Sequence, residues 1–331
     1  MAATPDRWRR RLSAGEVAEI EAAAEGFLSA DGDIAAMRAK DFPLPTVGPS
    51  LLALRRDLQH GIGFGLIEGL PADRYSVETS AAIFCGIGAH IGSARSQNAN
   101  GHILGHVKDV GADPNDPNAR IYQTSARQTF HTDSADVVGL LCLAEAKSGG
   151  DSLLASTLTI YNEMMRRAPD LAEALFRPVA TDRRGETPEG EKPFFTIPVL
   201  NWHEGALTGI YQRQYIESAA RFPDAPPLTD DYVAALDLFD EIANDPAAHL
   251  RMRLRPGDMQ FVYNHTNLHD RTGFEDWPEP EKRRHLLRLW LALPDDRPLP
   301  PVFKQRYGSI AIGDRGGIVL KDTKLHAPLA P

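Results

Sequence analysis

The chain has 331 residues, of which 42% are hydrophobic and 24% charged, and it carries a formal net charge of −9. That length suits one large domain or two modest ones, in a composition ordinary for a chain that folds in water. The acidic balance argues against non-specific nucleic-acid binding, the lack of any apolar run of about 18 residues against a membrane-spanning helix, and the presence of only two cysteines against a disulfide framework.

Arg7, Arg9, Arg10 and Arg11 are followed by no apolar segment, so the start reads as a solvated basic tail and not as a secretory signal. Ser13 and Glu16 have the spacing of a capping box, which predicts an alanine-rich helix through Ile20 to about Phe27. A second helix is expected over 51–58, ended by Gly61 and Gly63. A short strand follows over 64–70, stopped by Pro71, and a third helix lies around 77–87. Residues 92–119 are rich in Gly, Asn, Asp and Pro. A loop this long is usually functional or mobile, so it is read as a wall or lid of a site, with a plain surface excursion equally open.

The run 137–143 reads as a buried strand, with Cys142 a small apolar residue inside it. Both cysteines fit a reducing cytoplasm, the expected location. Lys147 to Ser152 is a turn by composition, a helix follows over 158–165, and Pro169 can start another helical turn. Residues 183–192 are loop-like. A strand over 194–200, turned at 201–205, is expected to pair with 210–216. Residues 229–242 read as an amphipathic helix with Val233, Leu236 and Phe239 on its apolar face. Leu250, Met252 and Leu254, then Met259, Phe261 and Tyr263, alternate on either side of Pro256-Gly257, which predicts a hairpin closed by a type II turn. A last strand over 286–293 follows the charged turn holding Arg283 and Arg284. Helices early and strands late give a mainly β chain with helical insertions, of the α+β class.

The chemistry concentrates at Phe130-His131-Thr132-Asp133. In an extended segment the His-x-Asp spacing puts both side chains on one face, where they can converge on one metal ion. Alone the pair is weak. The strand just after it would anchor it on a rigid sheet. A two-histidine, one-carboxylate iron(II) site needs one more histidine and leaves positions open, and His269 is the best candidate. His265 and His285 read as hydrogen-bonding or surface residues. His102, His106 and His203 read as structural, and Lys147, Arg166, Arg167 and Arg283 as solvated.

Taken in order, His131-x-Asp133, Gly150-Asp151-Ser152, His269, and Arg284 with Arg288 resemble the iron(II)/2-oxoglutarate-dependent dioxygenases of the taurine dioxygenase and clavaminate synthase-like superfamily. The resemblance runs from the strand at Phe64 to the one ending at Leu293. It implies a double-stranded β-helix, or jelly roll, in a single catalytic domain over 1–331. Its helical cover would span about 13–90, the core about 120–295 and a C-terminal extension 296–331. It implies that His131, Asp133 and His269 bind Fe(II), leaving sites for the keto acid of 2-oxoglutarate and for O2. Arg284 would pair with the far carboxylate of 2-oxoglutarate, and Ser152, where the family often has threonine, would donate to it. Arg288, Arg127 and Asn264 are the expected substrate-binding residues.

The implied activity is oxidation, chiefly hydroxylation, of a C–H bond in a small organic substrate such as an amino acid or a natural-product intermediate. Ser125-Ala126-Arg127-Gln128 departs from the taurine-specific pattern, which argues against taurine. Asp133 sets the chain apart from the halogenating branch, which lacks that carboxylate. A zinc hydrolase and a non-catalytic binding protein on the same scaffold are the competing classes; Arg284 and Ser152 favour the dioxygenase, since a hydrolase has no use for a 2-oxoglutarate clamp. The expected partner is a small molecule, with no nucleic acid and no membrane; the oligomeric state is open.

Overall fold

A computed structural model describes residues 4–112, 120–321 and 323–331. Two sheets face each other, each covered on its outer side by helices. The larger has seven strands, in the order Arg9–Arg11, Phe64–Glu68, Met259–Tyr263, Val137–Ala144, His285–Ala292 and Ser93–Arg95, with Leu104–Val107 also paired to His285–Ala292. The smaller is antiparallel, in the order His249–Met252, Ser152–Ser156, Asn267–Arg271 and Gln128–His131.

Two-residue alternation along the strands builds the layers. Val137, Leu141, Leu287, Leu289 and Leu291 pack against the helices Ala14–Ser29, Gly48–His60 and Val77–Ile91. Their neighbours Val138, Cys142, Leu286 and Trp290 face the smaller sheet, where they meet Leu154 and Met252. Both faces of Val137–Ala144 are therefore buried, which is why the sequence there is continuously apolar. On the far side, Phe130, Leu153, Ala155 and Leu268 pack against the helices Thr157–Arg167 and Asp230–Asn244. The first helix begins with the expected capping box: Glu16 N–H donates to Ser13 Oγ at 3.4 Å and Ser13 N–H to Glu16 Oε2 at 2.9 Å.

Three local expectations are corrected. The basic segment is not a solvated tail. Arg9–Arg11 is an edge strand parallel to Phe64–Glu68; Glu68 meets Arg9 at 2.6 Å and Glu16 meets Arg10. Such charges blunt a sheet edge against further pairing.

The Pro256-Gly257 turn forms as expected, with Asp258 N–H donating to Arg255 O at 2.9 Å and Gly257 at φ +88°. The strands flanking it do not pair with each other. His249–Met252 joins Ser152–Ser156 in one sheet, and Met259–Tyr263 joins Val137–Ala144 in the other. The turn carries the chain between sheets, and a Cβ at Gly257 would lie 1.7 Å from Leu70 O.

The partner of Phe194–Pro198 is Pro178–Asp182, not 210–216. The segment after Asn201 closes its own short hairpin, Leu200–His203 with Ala206–Gly209, and Arg213–Ser218 is helical. Of the glycine-rich stretch, Ser93–Arg95 and Leu104–Val107 are strands of the larger sheet; the lid reading of 113–119 lies outside the described residues. Among the described residues no helix is long and apolar enough to cross a membrane.

The C-terminal segment returns to the larger sheet through a histidine pair. His106 Nε2 donates to Pro328 O at 2.8 Å, so His106 Nδ1 is left to accept from His285 Nε2, also at 2.8 Å. Burial, then the charge of His106, pushes His285 down to about 4. An unfolded histidine takes its proton at about pH 6.5, so between these values the unfolded state binds more protons and stability falls as pH falls. Thermal unfolding should lose on the order of 1 kcal/mol between pH 6.5 and 5, allowing for partial exposure of the pair. His285→Gln should flatten that slope; an unchanged slope would remove His285 from the account.

Candidate metal centre and co-substrate pocket

His131 ends one strand of the smaller sheet and His269 lies in the adjacent one, directly opposite it in register. Their rings are 4.1 Å apart between centroids. Asp133 lies just past the strand end, its N–H fixed by Asn264 Oδ1 at 3.0 Å. Its carboxylate oxygens are 4.0 Å from His131 Nε2 and 3.7 Å from His269 Nε2. One donor atom from each of the three residues falls within 4.8 Å of the others.

The protonation states suit a cation. His131 Nδ1 donates to Thr129 O at 2.8 Å, which leaves Nε2 as the free lone pair. Burial, with His269 adding to it, pushes His131 down to about 3, so the ring is neutral. For Asp133 burial acts upward, but Arg288 and both histidines outweigh it and hold the carboxyl well below its usual range. Trp290 Nε1 donates to Asp133 Oδ2 at 2.8 Å and Arg288 Nη1 lies 3.4 Å from the same oxygen. The Gln128 side-chain amide, 2.9 Å from His131 Nε2, has to give way when an ion takes that lone pair.

A second cluster, Asp136, His265 and Asp296, is equally close-knit, and its partners show why it is structural. Arg315 donates to Asp136 and to Asp296, both at 2.7 Å. His265 donates to Asp136 at 2.8 Å and Tyr263 to Asp296 at 2.6 Å. The buried charges are already matched, and together they tie the C-terminal segment to the core. At His131, Asp133 and His269 the cation is Arg288, 3.4 Å from one oxygen of Asp133 and on no other donor of the three among the described residues, and two imidazoles with one carboxylate are the donor set of an iron(II) oxygenase site.

The same cavity that both histidines line also holds Ser152, Arg271, Arg284 and Arg288. The strand geometry accounts for this. Arg284, Leu286, Arg288 and Trp290 alternate onto the inner face of the larger sheet. His285 turns outward to His106, as a hydrogen-bonding residue. Arg284 is 6% exposed, its Nη1 is buried without a partner among the described residues, and burial pushes it down to about 10. Arg271, two residues past His269 on the same face, is 7% exposed. Its Nε is also unpartnered, and burial, with Arg284 beside it, pushes it down to about 9. Neither guanidinium has a carboxylate within 4.0 Å among the described residues. Two buried cations without an anion, beside a metal-ligand cluster, fit a carboxylate of a bound acid. Gly150 permits the approach: it sits at φ +73°, and a Cβ there would lie 2.9 Å from Arg284 Nε.

Three other residues singled out in the sequence are placed differently. Arg127 is bound to Asp270 at 2.6 and 3.0 Å and to Asn244 at 2.6 Å, on the outer side of the smaller sheet. Asn264 is spent on the Asp133 N–H and on Ala135 O, so it shapes the metal loop. Arg288 lines the cavity but is engaged by Gln97 at 2.7 Å as well as by Asp133. Arg271 and Trp290 went unnoticed in the sequence, and Gln128 was marked only as part of the Ser125 to Gln128 segment. Arg271 and Trp290 follow His269 and Arg288 by two residues, so alternation alone could have found them.

Residues 29–290 match the family described as taurine catabolism dioxygenase TauD, TfdA. The chain belongs to the TauD/TfdA dioxygenase family. It is 34% identical over 299 residues to FR-33289 synthase of Streptomyces rubellomurinus, across 89% of this chain and 88% of that one. It is 32% identical over 288 residues to the taurine hydroxylase-like protein SAT17 of Stachybotrys chartarum, across 84% and 73%. Among solved structures, an asparagine oxygenase with Fe(II), 3-hydroxyasparagine and succinate superposes with a TM-score of 0.68 at 20% identity, over 86% of this chain and 93% of that one. The two facing sheets are thus the TauD-like jelly roll. This TauD/TfdA chain is an iron(II)- and 2-oxoglutarate-dependent dioxygenase, with O2 as the oxidant.

Proposed function

We propose that His131, Asp133 and His269 hold the iron(II), that Arg284 binds the far carboxylate of 2-oxoglutarate, and that the enzyme hydroxylates a C–H bond of an amino acid or a natural-product intermediate. The observation that supports this most is the unpartnered Nη1 of Arg284, buried in the same cavity as the two histidine ligands. Bound iron would supply the oxidising chemistry, driven by decarboxylation of 2-oxoglutarate to succinate. The chain's own residues do the positioning. Arg284 receives a planar carboxylate through its fork, Arg271 adds positive charge, and Ser152 turns its hydroxyl from Gln260, now 3.0 Å away, to the same group. Arg288 and Trp290 hold Asp133 in place and ionised, and the surrounding Val138, Leu140, Leu254 and Leu286 keep water out. Residues 1–331 act as one catalytic unit in this reading, and two free buried cysteines suit the cytoplasm.

The test is a screen of amino acids and other small acids with iron(II), ascorbate and 2-oxoglutarate, scored by succinate release. At least one compound should raise succinate release at least about tenfold over the uncoupled rate, with an oxidised product of matching amount. Succinate release that no compound raises would count against this substrate class.

A further inference from the structure

On the other side of Asp133 lies a second, polar cavity, continuous with the metal centre through shared lining residues Tyr122, Gln128 and Arg288. Arg120, Ser134, Gln212, Tyr215 and Arg306 also line it. Its cations are unequally answered. Arg288 faces Asp133, and Arg120 is 2.5 Å from Glu186 and donates to Tyr215 Oη at 2.9 Å. Arg306 is different. Its Nε donates to Ser134 Oγ at 2.8 Å and its guanidinium stands over the Phe195 ring at 5.7 Å, but no carboxylate lies within 4.0 Å of it among the described residues. Burial, chiefly, lowers its affinity for its proton, and the charge of Glu186 offsets only part of that. Ser134 follows the metal ligand Asp133, so this unanswered cation is anchored one residue from the reaction centre.

Arg306 belongs to the short helix Lys304–Tyr307, beyond residues 29–290 that match the family. That helix is seated by Phe303 and Tyr307 packing on Phe195 and Ile197. The arginine therefore comes from the C-terminal segment, outside the residues that match the family. Two further donors converge with it. Tyr215 Oη accepts from Arg120, so its own proton is left for the cavity, and the Gln212 carboxamide lines the same wall. Three donors from separate places, with one uncompensated positive charge, suit an anion with oxygens pointing several ways.

We propose that Arg306, with Tyr215 and Gln212, binds a phosphate or phosphonate group on the substrate, holding the carbon to be oxidised toward the His131, Asp133 and His269 centre. Only the step from bound anion to substrate rests on the function proposed above; the anion site stands on Arg306 itself. A phosphate ester and a phosphonate share the tetrahedral oxyanion and differ in the bridging oxygen, so the two sources are separable by probe.

The experiment is calorimetric titration of the anaerobic protein, loaded with iron(II) and 2-oxoglutarate, with methyl phosphate, methylphosphonate, acetate and neutral dimethyl methylphosphonate. At least one of the two tetrahedral anions should bind, the tighter one identifying the source, and acetate and the neutral ester should bind more weakly than either. Arg306→Ala should weaken that binding roughly 10- to 150-fold, the loss of one charge-assisted contact. Arg306→Lys should recover part of it, which shows that the fold is intact. Affinity for 2-oxoglutarate should stay within about twofold in both variants, and Arg284→Ala should leave the tetrahedral anion's affinity unchanged. The proposal is overturned if neither tetrahedral anion binds, if acetate or the neutral ester binds as well, or if Arg306→Ala binds them like the wild type. Loss of Arg306-dependence with normal 2-oxoglutarate binding would sink this site alone. Failure to bind 2-oxoglutarate, with Arg306-dependent anion binding intact, would instead sink the co-substrate assignment.

Discussion

Asp133→Ala and His131→Ala are each expected to lower turnover by more than about 100-fold while leaving a folded protein. Even changes that only touch a ligand's support cost metal affinity 10- to 100-fold, and these remove the proposed ligands outright. Asp133→Ala also strips Trp290 Nε1 and Arg288 Nη1 of their shared acceptor, so some stability goes with it. Asp133→Asn separates the two effects. It keeps an oxygen for Trp290 and removes the charge, so it should melt close to the wild type and still bind iron(II) poorly. The checks are anaerobic iron(II) titration, succinate release and thermal unfolding on all three variants. Wild-type turnover in Asp133→Ala and His131→Ala together would sink the site.

Arg284→Ala is expected to cut 2-oxoglutarate affinity by about 30- to 4,000-fold, because a buried anion loses a partner worth roughly 2–5 kcal/mol. Arg284 is 6% exposed and has no carboxylate within 4.0 Å among the described residues, so little screening reduces that loss. Arg284→Lys keeps the charge and loses the fork, and it should rescue only in part. Iron binding should barely change, since Arg284 is not a ligand. Equal 2-oxoglutarate affinity in wild type and Arg284→Ala, measured by equilibrium titration, would move the clamp to Arg271 or Arg288.

Much of the candidate site was legible because it is carried by alternation within strands. His131 and Asp133 stand two residues apart in extended chain, and Arg284 and Arg288 share a parity that puts both on the inner face. Pairing partners were not legible. Leu250 to Tyr263 shows which side chains share a face and where the chain turns, but not that the turn passes between sheets; Leu70 O, pressed against Gly257, comes from far along the chain. Arg9 looked solvated because Glu68, which answers it, is 59 residues away. Arg127 and Arg306 show the same limit from two sides. Arg127 adjoins the metal motif in sequence and is neutralised by Asp270 in space, while Arg306 is remote in sequence and lines the cavity beside Asp133. Charge in a sequence gives the cation, and only the fold says whether an anion already answers it.

The most direct test is anaerobic titration of 2-oxoglutarate into the iron(II)-loaded wild-type protein, followed by the visible charge-transfer absorption expected when the keto acid chelates iron. The expected result is a band that saturates at one equivalent, needs iron, and is lost in His269→Ala. No band in the wild type, or an undiminished band in His269→Ala, would contradict it.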